Sequence, residues 1–174
     1  LNCKNFFVAT INEAITLRKS FQNINIYLLN GINNLNEYFR IENYNITIVI
    51  NNINQYLILK KAYQLSHTKI NCCLHIDSGM NRLGLNYAVF KKNINNFKKY
   101  FNVKMIMSHM INSEKRSSLN SEQLKFFKNL KKDFQFSNNT SFSLGNSHAL
   151  FLGNSYHFDI IRAGGYIYGL KLSK

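Results

Sequence analysis

An α/β fold on a largely parallel sheet is what the sequence predicts, and three observations predict it. Apolar runs of strand length alternate with helical periods from one end of the chain to the other. Those runs are apolar throughout rather than at every second residue, the pattern of strands covered on both faces. No proline-rich or serine-rich stretch interrupts the alternation, so the 174 residues read as one unit.

The elements follow in order. Phe6-Phe7-Val8-Ala9 is a short buried strand. Thr10-Ile11-Asn12-Glu13 spells a capping box, in which hydroxyl and carboxylate satisfy free amides at a helix start. Ala14, Leu17 and Phe21 continue that helix on one side. Strands are expected over 24–29, which Asn30-Gly31 ends as a turn, and over 46–50, 72–77, 103–108, 140–144 and 158–162. Helices are expected over 35–40, 54–67, 86–100 and 120–132, with a short one over 146–150. In the 54–67 helix the period rests on Leu57, Ile58, Ala62 and Leu65; in the 120–132 helix Leu124, Phe127 and Leu130 face inward.

Seven strands allow a doubly wound sheet or a (β/α)8 barrel one strand short of closure. Neither a GxGxxG nor a GxxxxGK[ST] loop follows any strand, which weakens nucleotide binding. Polar residues gather at the strand C-terminal ends: Asn30, Asn51, Asp77, His109, Asn146 and Arg162. Ligand chemistry sits at those ends in both architectures. Asn30 and Asn51 read as simple strand-end markers.

The formal charge of +14 raises the possibility of a nucleic-acid partner. However, the lysines come with an excess of Asn, Ile, Phe and Tyr, a joint bias of overall composition. Lys91, Lys92, Lys98 and Lys99 recur at helical spacing opposite Phe90, Ile94 and Phe97, as on a solvated helix face. The basic stretches lack aromatic clusters for stacking bases, and no nucleic-acid partner is expected. The longest apolar runs are far too short to span a membrane, and no signal peptide opens the chain, so a cytoplasmic location is expected. Leu1 in place of methionine suggests a start inside a longer protein. Cys3, Cys72 and Cys73 have no metal-ligand spacing; adjacent cysteines in a strand point to opposite faces, and no metal is expected.

Asp77-Ser78-Gly79-Met80-Asn81-Arg82-Leu83-Gly84 packs an acid, two glycines and an arginine into one loop after a strand. Arg82 carries a planar donor fork suited to a carboxylate or phenolate, although an internal Asp–Arg pair would read the same way. The stretch resembles the D-[ST]-G-M-x-R-L-G loop of the alanine racemases. Ser108-His109, Leu144-Gly145-Asn146-Ser147 and the 158–169 run, with its Asp159, Arg162 and Tyr168-Gly169, resemble that family's later elements in the right order. Phe7-Val8-Ala9-Thr10, Glu13-Ala14 and Leu17-Arg18 match near the start. The resemblance covers nearly the whole chain. It implies an incomplete (β/α)8 barrel, residues 1–174 being part of the N-terminal cofactor domain.

The resemblance further implies pyridoxal 5'-phosphate as cofactor, alanine as substrate, D-alanine for peptidoglycan as product, and a homodimer for the full-length parent. Arg162 would face the pyridine nitrogen. Ser147 would give its hydroxyl to the phosphate, with the amides of Gly164 and Gly165 beside it. His109 would pack on the ring. Arg82 would reach the phenolic oxygen and the substrate carboxylate. Asp77 and Asn146 would support these groups.

There are departures. His75 stands where many members have a lysine, sometimes carbamylated, that positions the arginine matched by Arg82; a hydrogen bond from His75 is one substitute. Ala163 replaces the customary proline, and Gly165 a larger apolar residue. The Schiff-base lysine motif and the tyrosine of the later β-domain are not found in the sequence, so no catalytic base is assigned. The chain alone is expected to be an inactive fragment of poor solubility, and a decayed gene, a non-catalytic cofactor binder or a racemase of another small amino acid are the alternatives.

Overall fold

The structure, a computed structural model, describes residues 3–134, 136–137 and 139–170. The strands are β1 (Asn5–Val8), β2 (Asn25–Leu28), β3 (Thr47–Ile50), β4 (Ile70–His75), β5 (Phe101–Met107) and β6 (Ser141–Ser143). Between and after them run α1 (Ile11–Ser20), α2 (Leu35–Ile41), α3 (Ile53–Ser66), α4 (Tyr87–Tyr100), α5 (Ser118–Asp133) and α6 (Gly164–Ile167).

Local chemistry sets the helix starts. The Thr10 hydroxyl accepts the Glu13 N–H, while the Glu13 carboxylate accepts the N–H groups of Ala9 and Thr10 at 2.9 and 2.8 Å. At the starts of α2 to α5 the side chains of Asn34, Asn52, Asn86 and Ser117 each accept a first-turn N–H. Each such cap is worth about 1 kcal/mol. In α4, Phe90 and Phe97 are fully buried and Lys91, Lys92, Lys98 and Lys99 exposed, the solvated basic face that the spacing predicts. In α3 the inward face is Tyr56, Leu59 and Ala62, while Leu57 and Leu65 of the predicted period are exposed.

Every strand pair is parallel, and spatial order follows chain order from β1 to β6. A doubly wound sheet reverses its order at a switch point. Without a reversal, all helices lie on one side and the twisted sheet curls into part of a barrel. The convex side buries Ile26, Leu28, Ile48, Ile50, Cys72 and Leu74 beneath Leu59, Phe90, Phe97 and Phe127 of the helices. The concave side holds a smaller cluster of Tyr27, Val49, Cys73, Met105 and Met107, with Phe7 stacked on Tyr27 at 4.6 Å. Cys72 and Cys73 therefore serve opposite faces, as alternation requires.

The seventh predicted strand, 158–162, does not form as one. Phe158 takes a left-handed φ of 51°, and the Asp159 carboxylate caps the Phe142 N–H at 2.8 Å. The N–H groups of Asp159 and Ile160 then converge on one acceptor, the Phe142 carbonyl, which prevents a regular ladder. One parallel bridge between Asn146 and Arg162 keeps the segment beside β6. The short helix expected over 146–150 is a 3-10 turn, His148–Phe151. No described helix is long and apolar enough to cross a membrane.

Candidate functional site

Parallel strands end on the same side, so the polar residues after β3, β4, β5 and β6 share one mouth. His75 lies two residues beyond Cys73 and therefore on the concave face, paired with Met107 across the ladder. It is 6% exposed, and its Nδ1 lies 2.8 Å from Asn51 Oδ1. Burial, and then the nearby cation of Arg162, push its pKa down to about 4. His109 is brought to about 4 by burial and by the charges of Arg162 and Arg82. Both rings are neutral near pH 7.

Arg162 is half-buried, at the edge of the mouth. One terminal nitrogen donates to the Ser143 carbonyl and hydroxyl, the other to the carbonyls of Ser108 and Leu144. Burial lowers its pKa to about 10, which leaves it a cation at neutral pH. Its Nε–H has no partner among the described residues. The Arg162 N–H donates to the Gly145 carbonyl at 3.0 Å, which sets the 144–147 turn against the arginine.

Ser147 is buried, and its Oγ accepts the Gly165 N–H at 2.8 Å. A β-carbon on Gly165 would lie 3.1 Å from that oxygen and 3.2 Å from Leu170 Cδ1, so a larger residue here would have to push these side chains back by a few tenths of an ångström. Gly164 opens to free space. Asn146 accepts the Ala149 N–H and shapes the turn.

The Asp77 carboxylate accepts the amides of Gly79 and Asn81, so the alternative of an internal Asp–Arg pair is not what forms. Arg82 is exposed and makes no hydrogen bond or ion pair among the described residues. Its charge is nevertheless felt by both histidines. The loop closes on itself: Leu85 N–H donates to the His75 carbonyl, and Asp77 N–H to that of Leu85. Gly84, at φ 121°, has no room for a side chain, since a β-carbon would lie 2.6 Å from Asp77 N. His75 makes its hydrogen bond to Asn51, just after β3, and none to Arg82 among the described residues.

Two supporting residues escape the motif reading. Gln55 accepts the Asn51 N–H at 2.8 Å and donates to the Asn30 carbonyl at 2.7 Å. Asn52-x-x-Gln55 after a strand carried that signal, as a capping-box spacing. Gln123 donates to Ser78 Oγ and to the His109 carbonyl, and accepts the Ile111 N–H. It occupies the inward period of α5 with Phe127 and Leu130, where a polar residue is unexpected. Asn51 is more than a strand-end marker: it is 4% exposed and joins His75 to the Leu29 carbonyl just after β2.

The mouth thus presents two guanidinium cations, two neutral imidazoles, a hydroxyl and backbone amides. The Asp77 carboxylate beside it is engaged by its own loop. That donor set suits a small, multiply anionic ligand. Pyridoxal phosphate fits it: the Ser147 hydroxyl and the Gly164 amide are donors for a phosphate, the Gly165 amide being given to Ser147 Oγ, and Arg162 offers the unused Nε–H to a ring nitrogen.

The family model described as "Alanine racemase, N-terminal domain" matches residues 1–172. The chain belongs to the alanine racemase N-terminal domain family. It is 42% identical over 173 residues to the alanine racemase of Rickettsia bellii, covering 97% of this chain and 41% of that protein. The Rickettsia typhi alanine racemase is 40% identical, with 42% of its length covered. The chain therefore spans about two fifths of these relatives. Among solved structures, the Bartonella henselae alanine racemase, with covalently bound pyridoxal phosphate, superposes with a TM-score of 0.86 at 31% identity, over 97% of this chain and 49% of that one. The biosynthetic enzyme of Pseudomonas aeruginosa gives 0.82 at 27% identity, with 97% and 46% covered. An alanine racemase barrel is thus the architecture from which the half-barrel is drawn.

Proposed function

We propose that this chain forms the cofactor- and carboxylate-holding part of a pyridoxal-phosphate-dependent alanine racemase, which interconverts L- and D-alanine for bacterial peptidoglycan. A cytoplasmic enzyme working as a homodimer of the full-length protein belongs to the same reading. The observation that carries it is the convergence of Arg82, Arg162, His109, Ser147 and Gly165 at one end of a racemase-type sheet.

Bound there, pyridoxal phosphate would supply an electron sink for the pair released when a proton leaves the amino-acid Cα. Arg162 holds its own proton, so its Nε–H can bond the ring nitrogen without protonating it. A charge-assisted bond of that kind is worth about 1.5–3 kcal/mol. Ser147 and the Gly164 amide would take the phosphate, with the Gly165 amide beside them holding Ser147 Oγ. His109, neutral and partly buried, would supply a flat face for the ring. Arg82, free of internal partners, would bind the carboxylate of alanine through its fork. Asp77 and Asn146 shape the turns that carry these groups, and His75 supports the Arg82 loop.

Neither base implied by the resemblance lies in these residues, so the chain alone should hold the cofactor without turning over L-alanine. Titration with pyridoxal phosphate, followed by its absorbance, tests the site; R162A and S147A should each weaken binding tenfold or more. Unchanged binding in both variants, or racemisation by the isolated chain, overturns the assignment.

A further inference from the structure

Outside the groups that would touch ligand, one buried residue gathers more connections than its neighbours. Asn51 ends β3, and its amide nitrogen donates to the Leu29 carbonyl at 2.8 Å. A carbonyl only accepts, so this bond fixes the amide orientation and leaves Oδ1 as the atom facing His75. An oxygen acceptor 2.8 Å from Nδ1 requires that nitrogen to carry the proton. The Asn51 carbonyl meanwhile accepts the Gly84 N–H at 3.2 Å, at the base of the Arg82 loop. Its own N–H is held by Gln55, which also grips the Asn30 carbonyl.

We propose that Asn51 is a positioning residue of the mouth, locking His75 as the Nδ1–H tautomer and placing its bare Nε2 as a hydrogen-bond acceptor under the Arg82 loop that the same asparagine anchors. The proposal deepens the racemase reading and rests on it only for the identity of the ligand. The groups around His75 are consistent with a bare nitrogen. Arg162 and Arg82 are cations, His109 is neutral, and Asp77 is committed to Gly79 and Asn81. A protonated ring would add a third positive charge to the cluster. A bare Nε2 instead offers a lone pair to a guanidinium N–H. Arg162 already places both terminal nitrogens on backbone and hydroxyl acceptors, whereas Arg82 has no described partner. Arg162 keeps one donor without a described partner, its Nε–H, against the whole guanidinium fork of Arg82, and Arg82 is the partner assigned to this nitrogen.

Nitrogen-15 NMR of the histidine rings tests this without cofactor or turnover. In the unsubstituted protein His75 should show one protonated nitrogen, Nδ1, unchanged from pH 8 down to pH 5.5. Asn51→Asp keeps an oxygen acceptor, so it should preserve that tautomer and move the ring titration upward by about one pH unit or more, through the added charge. Asn51→Leu should lose the single tautomer and the slow exchange of the Gly84 amide. An Nε2–H tautomer in the unsubstituted protein overturns the proposal even if no variant folds, and so does an unchanged spectrum in Asn51→Leu. Pyridoxal phosphate titration is a separate readout: failure there with the predicted tautomer present counts against the ligand and not against Asn51.

Discussion

Two arginines, both surrounded by backbone carbonyls, sit at opposite ends of the half-barrel. Arg18 lies below the N-terminal ends of the strands, 6% exposed, and places all five of its N–H donors on the carbonyls of Phe21, Gln22, Ile24, Tyr44 and Asn45. Arg162, at the C-terminal ends, spends four donors on three carbonyls and the Ser143 hydroxyl, and its Nε–H has no partner among the described residues. The difference is one unsatisfied donor. A saturated guanidinium can only hold structure together, whereas one with a donor to spare can also bind. The surroundings match. Below, Asn25 bonds Asn5 and Asn71 bonds Asn45, neutral side chains that satisfy one another. Above, cations, imidazoles and a serine hydroxyl converge with capacity left over.

The largest effect expected is at the saturated end. R18A strands five carbonyls, two of them in the 44–45 turn before β3, and should lower unfolding free energy by about 4 kcal/mol in urea titrations. A loss under about 1 kcal/mol would remove the distinction between the two arginines.

The next effect is the pH response of the mouth. His75 and His109 have native pKa values of about 4 against an ordinary 6.5. The unfolded chain binds the extra protons between those values, so the stabilisation is complete above pH 6.5 and is lost as pH falls toward 4. For His75 alone that is on the order of 3 kcal/mol, and less for the more exposed His109. Melting at pH 7, 5.5 and 4.5 should show the decline, and H75Q should flatten it; an equal slope in H75Q would place the proton uptake elsewhere.

Smaller still, R82A should leave stability within about 0.5 kcal/mol, because an exposed side chain without internal partners is lost. Anion binding at the mouth, followed with a small carboxylate, should fall about tenfold, equivalent to about 1.4 kcal/mol. The smallest effect is expected from N25A. Its exposed bond to Asn5 should contribute no more than about 0.5 kcal/mol, and cofactor binding should not change.

Much of this was readable in the residues. The α/β alternation, the capping box at Thr10, the basic face of α4 and the opposed cysteines were all visible, because each depends on near neighbours in the chain. The racemase motifs supplied the barrel and brought Arg82, His109, Ser147 and Arg162 to one place. What escaped depends on partners far apart in sequence. Asn51 looked like a strand-end residue, and its importance lies in Leu29, His75 and Gly84. Gln123 touches Ser78 from 45 residues away. The 158–162 segment had strand composition, but the Asp159 cap on Phe142 and the left-handed turn at Phe158 broke its ladder. The inward face of α3 turned on which of several apolar residues met the sheet, a choice that periodicity left open.

The loop from Asp77 to Gly84 closes as a ring, tied at its neck by the His75–Leu85 and Asp77–Leu85 bonds. A ring has a fixed circumference. One residue more or fewer between its tied ends would slip the Ile76–Leu85 bridge and carry the arginine to a different bearing over the mouth. Substitution at an exposed position such as Leu83 can be absorbed there, but neither a side chain at Gly84 nor a change in length can. Ring closure therefore keeps these eight positions together as a contiguous signature, while the residues that brace them lie scattered through the chain.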